Sequence, residues 1–235
     1  MAGGKGTRLH PYSATLPKPL MPLGDVPVLE LLLRRLRTAG IREVVLAVNH
    51  LRHLIEAFCG DGTRFGLCIS YAQEDRPLGT AGPLAGVLES LGEDFLLANG
   101  DLLTTLDIRS MIQEHRVKTA DVTIGVYERE IRSEFGLIET TPEMRMVSYR
   151  EKPVFRHLVS MGIYVLKAAA VSHHIRLGQR LDMPDLVRAV ASAGKRVFCH
   201  QQDCFWLDIG RPEDFALAQQ LFEENPSMFL GGLPA

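Results

Sequence analysis

The sequence predicts an α/β fold with a mixed, mostly parallel sheet flanked by helices. Short β-rich runs alternate with helical patterns through the first half, which is the mark of βαβ units. Asp94–Ala98 reads as an apolar central strand, suited to burial on both faces. At 235 residues the chain is long enough for one large α/β domain with a full hydrophobic core. One domain over residues 1–225 and a loose tail over 226–235, rich in Gly and Pro, are expected.

In chain order, Val28–Ala39 places Leu29, Leu32, Leu33 and Leu36 at helical spacing and stops at Gly40, with Arg34, Arg35 and Arg37 mostly off that stripe. A strand over Glu43–Asn49, a short helix over His53–Phe58 and a strand over Leu67–Ala72 follow. Thr80–Leu91 is expected to be a helix, leading to the central strand and to Asn99-Gly100-Asp101. Asp107 caps the next helix, before a strand over Asp121–Tyr127. Strand pieces over Gly136–Glu139, Arg145–Tyr149 and Val159–Leu166 are expected to form a mixed-sheet lobe of the same domain. Asp182–Ala193, with Pro184 in its first turn, and Pro212–Glu223 complete the helices.

A net charge of −2 provides no basic field for a nucleic-acid backbone. Cys59, Cys68, Cys199 and Cys204 are scattered, as thiols in a reducing cytoplasm would be. Cys199, His200 and Cys204 lack the second ligand pair that a zinc site needs. No run reaches the eighteen apolar residues of a membrane span, so a cytoplasmic chain without a membrane partner is expected.

Chemistry concentrates at the start, in Ala2-Gly3-Gly4-Lys5-Gly6-Thr7-Arg8-Leu9, with Pro17-Lys18-Pro19-Leu20 close behind. Glycines let the backbone turn through positive φ and aim N–H groups at an anion. Neither the P-loop pattern nor the dinucleotide fingerprint fits this segment. The whole stretch AGGKGTRLHPYSATLPKPLMPLGDVPVLE resembles the signature of the sugar-1-phosphate nucleotidyltransferases. The resemblance implies the Rossmann-like nucleotide-diphospho-sugar transferase fold, in which a central apolar strand precedes the glycine loop. That first strand is expected to be truncated here.

Open α/β sheets bind ligands at the carboxyl ends of their strands, where Asp101 falls and could hold Mg2+ against phosphate oxygens. The resemblance supplies a second metal aspartate, Asp208 of Trp206-Leu207-Asp208-Ile209-Gly210. It also implies that Lys152 meets the sugar phosphate and Glu151 the sugar hydroxyls, with Gly136 and Ser160 on the same side. Ser160 stands where the family usually has asparagine, which bears on sugar choice. Glu74-Asp75-Arg76-Pro77-Leu78-Gly79-Thr80-Ala81-Gly82 looks like the base-side loop of mannose-1-phosphate guanylyltransferase-like enzymes, which points to GTP. Glu74, Gly79 and Thr80 would then bind the nucleotide with Ala2, Gly3, Gly4, Gly6 and Thr7, and Thr80 would open a helix whose N-terminus favours negative charge.

The implied partners are a nucleoside triphosphate and a sugar 1-phosphate, with Mg2+ as cofactor and a homo-oligomer left open. Arg8 would hold the departing pyrophosphate, Lys18 the nucleotide phosphates and Lys152 the sugar phosphate. Two other readings stand beside this one: a noncatalytic nucleotide-sugar-binding regulatory subunit, and a truncated catalytic domain of a longer protein.

Overall fold

The computed structural model describes residues 1–4, 6–74 and 76–230. Lys5 of the glycine loop, Asp75 of the base-side loop and residues 231–235 of the expected tail lie outside the described residues. The strands are β1 (Pro22–Leu23), β2 (Val26–Pro27), β3 (Glu43–Val48), β4 (Cys68–Gln73), β5 (Asp94–Ala98), β6 (Leu102–Thr104), β7 (Val122–Arg132), β8 (Leu137–Thr140), β9 (Met146–Arg150), β10 (Val154–Lys167), β11 (Val197–Gln201) and β12 (Trp206–Asp208). The α-helices are α1 (Val28–Thr38), α2 (Arg52–Cys59), α3 (Ile108–Val117), α4 (Ala168–Val171), α5 (Met183–Ser192), α6 (Pro212–Glu224) and α7 (Pro226–Leu230).

The sheet is mixed. β3 pairs with β4 and β7 with β11 in parallel, while β10 runs antiparallel between β5 and β7 in the order β11-β7-β10-β5. The antiparallel share is larger than the βαβ rhythm of the first half suggests, because β10 is a fourteen-residue strand that returns from the outer lobe beside both neighbours. The outer ends of β7 and β10 and the β8–β9 hairpin form that lobe.

β3 and β5 flank a cavity of about 500 Å3, lined by α1 residues such as Leu33 and Leu36 and by Leu84, Leu91 and Ile112. The first two residues cross its end. Ala2 N–H donates to Ala47 O, Met1 N to Ala98 O and Gly100 N–H to Met1 O, each at 2.8 Å. Met1 and Ala2 thus lie between the ends of β3 and β5, directly ahead of the glycine loop.

α1 shows why the periodicity is informative: Val28, Leu29, Leu31, Leu32, Leu33 and Leu36 are all buried, each worth roughly 1.5–3 kcal/mol against exposure. The off-stripe Arg34 instead donates to Glu30 one turn back, with Nε 2.9 Å from Oε1. Asp107 caps α3 by accepting from Ser110 N–H at 3.1 Å.

Two expectations fail. Thr80–Leu91 is not an α-helix but two short 3-10 turns, Gly82–Gly86 and Leu88–Ser90. Gly82 and Gly86 each weaken a helix by about 1 kcal/mol relative to alanine, and the N–H groups of Thr80, Ala81 and Gly82 are bonded elsewhere in the fold. The tail is likewise not loose over its first part. Residues 226–230 form α7, and Phe229 is buried with Leu9, Leu23, Phe215 and Phe222.

α3 also buries His115, whose Nδ1 lies 2.8 Å from Thr123 Oγ1 and whose Nε2 lies 3.7 Å from Asp94 Oδ1. Burial holds this imidazole below its usual 6.5, although Asp94 opposes the shift. The unfolded chain therefore takes up this proton more readily than the folded one, and stability falls as pH drops below about 6.5 towards the folded-state value. Thermal unfolding between pH 7.5 and 5 should show a smaller loss in His115→Gln than in wild type. An identical pH slope would count against the assignment.

Candidate active site

The site is built where β6 and β12 meet. Their antiparallel register sets Asp208 opposite Leu102 and Trp206 opposite Thr104. Asp101, immediately before β6, accepts Ile209 N–H on its own carbonyl at 3.2 Å. A strand pair from two distant segments thus carries both predicted metal aspartates on neighbouring rungs. Thr104 Oγ1 donates to Phe205 O at 2.7 Å and Phe205 N–H donates to Thr105 Oγ1 at 2.8 Å, which locks the start of the pairing.

Lys18 sits in a 3-10 turn held between Pro17 and Pro19. Its side chain is only 11% exposed, and its ammonium bridges both aspartates, pairing with Asp101 Oδ2 and lying 3.2 Å from Asp208 Oδ1. Asp101 Oδ1 is buried and has no hydrogen-bond partner among the described residues. Arg8 is exposed, and its Nη2 and Asp208 Oδ2 both lie 3.6 Å from where a Cβ on Gly210 would stand.

The donor set suits a hard divalent cation. Asp101 Oδ1 is an orphaned anionic oxygen, and carboxylates are the ligands that Mg2+ prefers. The described residues offer no group of three metal-ligating side chains. Two carboxylates therefore suit an ion that completes its shell with water and substrate phosphates rather than one caged by protein.

The glycine loop lies along the top of β3. Gly6 takes φ +60° as the chain enters the Thr7–Leu9 turn, where a Cβ would stand 3.1 Å from that of Ser13. Ser13 Oγ donates to Gly6 O at 2.7 Å. Gly3 and Gly4 do not use positive φ, contrary to expectation for the loop as a whole. Gly3 instead packs near Asn49 and Glu74.

Glu74 extends from the end of β4, and Asn49 Nδ2 donates to its backbone carbonyl at 3.1 Å. Burial raises the pKa of Glu74 above 4.5, against the pull of the Leu78 N–H, and its Oε1 is buried without a partner among the described residues. The base-side loop that follows is clamped onto residues 178–183. Ala81 and Gly82 N–H donate to Leu181 O at 2.9 and 3.0 Å. Thr80 N–H donates to Asp182 Oδ1 at 3.1 Å, and Thr80 Oγ1 accepts Met183 N–H at 2.8 Å.

These bonds occupy the amides that a helix N-terminus at Thr80 would have aimed at an anion. The glycines here serve close packing: a Cβ on Gly79, at φ +81°, would stand 2.5 Å from Leu181 O, and one on Gly82 would stand 2.8 Å from Gln179 O. Gly79→Ala should lower stability by about 1–3 kcal/mol through combined strain and clash and raise the nucleotide KM. Chemical denaturation and steady-state kinetics check both, and unchanged values would show that the clamp does not order this loop.

On the far side, β10 brings Ser160 to the end of β5. Asn99 N–H donates to Gly162 O at 3.0 Å, Gly162 N–H donates to Ser160 Oγ at 3.3 Å, and the Ser160 and Tyr164 hydroxyls lie 2.8 Å apart. Trp206 Nε1 donates to Met161 O at 2.9 Å, tying the Asp208 strand to the same corner. Glu151, Lys152 and Gly136 lie on the outer lobe. Glu151 Oε2 accepts the Tyr149 hydroxyl at 2.9 Å beside Gly136, while Lys152 is exposed at φ +42° and makes no ion pair with Asp101 or Asp208.

Lys18, Asp101, Asp208 and Arg8 therefore form one centre, with Glu74 and Ser160 on its two flanks. Sequence reasoning missed Asn49 and Asp182, which position the base-side loop. The signals available were a polar residue ending an apolar strand and an aspartate directly before a helix.

A family model described as nucleotidyl transferase matches residues 1–225. The chain is 34% identical over 222 residues to the mannose-1-phosphate guanylyltransferase of Mycobacterium tuberculosis, covering 92% of this chain and 61% of that protein. It is 32% identical over 234 residues to a UTP–glucose-1-phosphate uridylyltransferase of Synechocystis, with 92% and 60% covered. It thus spans about 60% of the length of these relatives. The crystal structure of HddC from Yersinia pseudotuberculosis superposes with a TM-score of 0.73 at 22% identity, covering 94% of this chain and 96% of that one, and shows the shared fold. With Arg8, Lys18, Asp101 and Asp208 gathered where β6 and β12 meet and the family model spanning nearly the whole sequence, this chain belongs to the nucleotidyl transferase family.

Proposed function

We propose that the chain transfers a nucleotidyl group from a nucleoside triphosphate, GTP by preference, to a sugar 1-phosphate, in the cytoplasm and with a divalent cation, Mg2+, at Asp101 and Asp208. The observation that carries this reading is the pair of aspartates on neighbouring strand rungs, beside Lys18 and Arg8, in a chain of this family. An oxygen of the sugar phosphate attacks the α-phosphorus, the new P–O bond forms as the α–β bridge breaks, and pyrophosphate leaves in line. A phosphate monoester has a second pKa of about 6 and is largely dianionic at neutral pH. No general base is needed, and the task is to bring two polyanions together.

The residues divide that task. Asp101 and Asp208 would hold the cation, which when bound would draw the reacting phosphate oxygens together and neutralise charge. Lys18 would receive the nucleotide phosphates, Arg8 the departing pyrophosphate, and Lys152 on the outer lobe the sugar phosphate. Glu74 supports the guanine preference. Its carboxylate could accept from both N1–H and the 2-amino group of guanine, whereas uracil and thymine present one N–H flanked by carbonyl oxygens, which would face the same carboxylate.

Pyrophosphate release with Mg2+ tests the reading, using a matrix of nucleoside triphosphates against hexose and hexosamine 1-phosphates. Release requiring one pair, with GTP the best donor, is expected. A folded protein silent across the matrix overturns the transferase reading, and a pyrimidine preference overturns the role of Glu74.

A further inference from the structure

We propose that Lys18 is a place-holding cation. Its ammonium occupies the space between Asp101 and Asp208 until nucleotide phosphates draw it away, so a divalent cation and a nucleotide bind cooperatively. This rests on the assignment of the two aspartates as the cation site.

The argument begins with charge. Two carboxylates on adjacent rungs of one strand pair repel each other, and Lys18 is the counter-ion that holds them together. The Lys18–Asp101 contact is enclosed, with side chains 11% and 21% exposed, so solvent screens it weakly, while Asp208 is 41% exposed and opens the site to an incoming ion. A divalent ion binding the same oxygens would meet a fixed positive charge within ion-pair distance. In a partly buried site that repulsion is substantial, so metal binding and Lys18 pairing exclude one another.

The backbone at Lys18 gives little relief. The residue lies in a tight turn between two prolines, each with its own φ fixed, so its backbone is restricted and release falls mainly to the side chain. Its release strands an ammonium unless another anion receives it. The nucleotide triphosphate supplies that anion and also offers oxygens to the metal. Each ligand thus removes the obstacle to the other, which is coupling between two binding events through one side chain. The orphaned Asp101 Oδ1 fits the same account, since Lys18 satisfies Oδ2 alone and leaves a second oxygen uncompensated.

The test uses Mn2+ as the probe ion, with free Mn2+ followed by electron paramagnetic resonance, and a nonhydrolysable GTP analogue as the nucleotide. In wild type, Mn2+ alone should bind weakly, and saturating analogue should tighten it by about tenfold or more. In Lys18→Gln the neutral amide no longer competes, so Mn2+ alone should bind about tenfold tighter than in wild type, and the gain from the analogue should shrink. Lys18→Met serves the same purpose should the glutamine variant fail to fold.

Equal or weaker Mn2+ binding in a folded Lys18 variant, or an unchanged gain from the analogue, overturns the proposal. Asp101→Asn and Asp208→Asn separate its failure from that of the reading beneath it. If both bind Mn2+ as wild type does, the cation site itself is misassigned. If they lose Mn2+ while the Lys18 variants gain nothing, only the place-holding role falls.

Discussion

Replacing Asp101 or Asp208 with asparagine should abolish cation-dependent transfer, lowering kcat by about a hundred- to a thousandfold or more. The expectation follows from the β6–β12 register, which offers these two carboxylates and no third protein ligand nearby among the described residues. Asparagine keeps the volume and leaves Lys18 one ionic partner in either variant, so the fold should survive. Circular dichroism and the unfolding midpoint would confirm that survival, while pyrophosphate release reports the loss. Wild-type rates in both variants would refute the assignment.

The largest stability effect is expected far from the chemistry, at Phe229. Its ring is 3% exposed and lies 5.4 Å from Phe205 and 6.1 Å from Phe222 between centroids. Phe205 directly precedes β12, so α7 braces the strand that carries Asp208. Phe229→Ala should cost about 3–5 kcal/mol, the range for emptying a phenylalanine site in a core. Urea denaturation measures this directly, and a loss below 1 kcal/mol would show that α7 packs only loosely.

Much of this architecture was legible in the sequence because its signals are local. The Leu29-Leu32-Leu33-Leu36 stripe of α1 and the Asp107 cap of α3 are readable within one or two turns. The glycine loop, Lys18, Asp101 and Asp208 were legible as motifs. Their meeting was legible only through the family resemblance, because it depends on β6 pairing with a strand about a hundred residues away. The 80–91 segment misled for the same reason. Its composition allows a helix, but the partner that claims its amides, Leu181-Asp182, is equally distant. α7 was hidden by Pro226 and the glycines beyond it, which mark a chain end without revealing that Phe229 finds a socket.

The crossing of Met1 and Ala2 between β3 and β5 divides the ligand-facing edge into two leaves. One carries Asn49 and Glu74, the other Asp101 and Ser160, and three backbone hydrogen bonds join them beside the cavity between β3 and β5. On the proposed function, a nucleotide spanning the glycine loop would touch both leaves, and its apparent affinity would include the work of fixing the angle between them. If only a fraction of molecules hold that angle unaided, the observed dissociation constant rises by the inverse of the fraction.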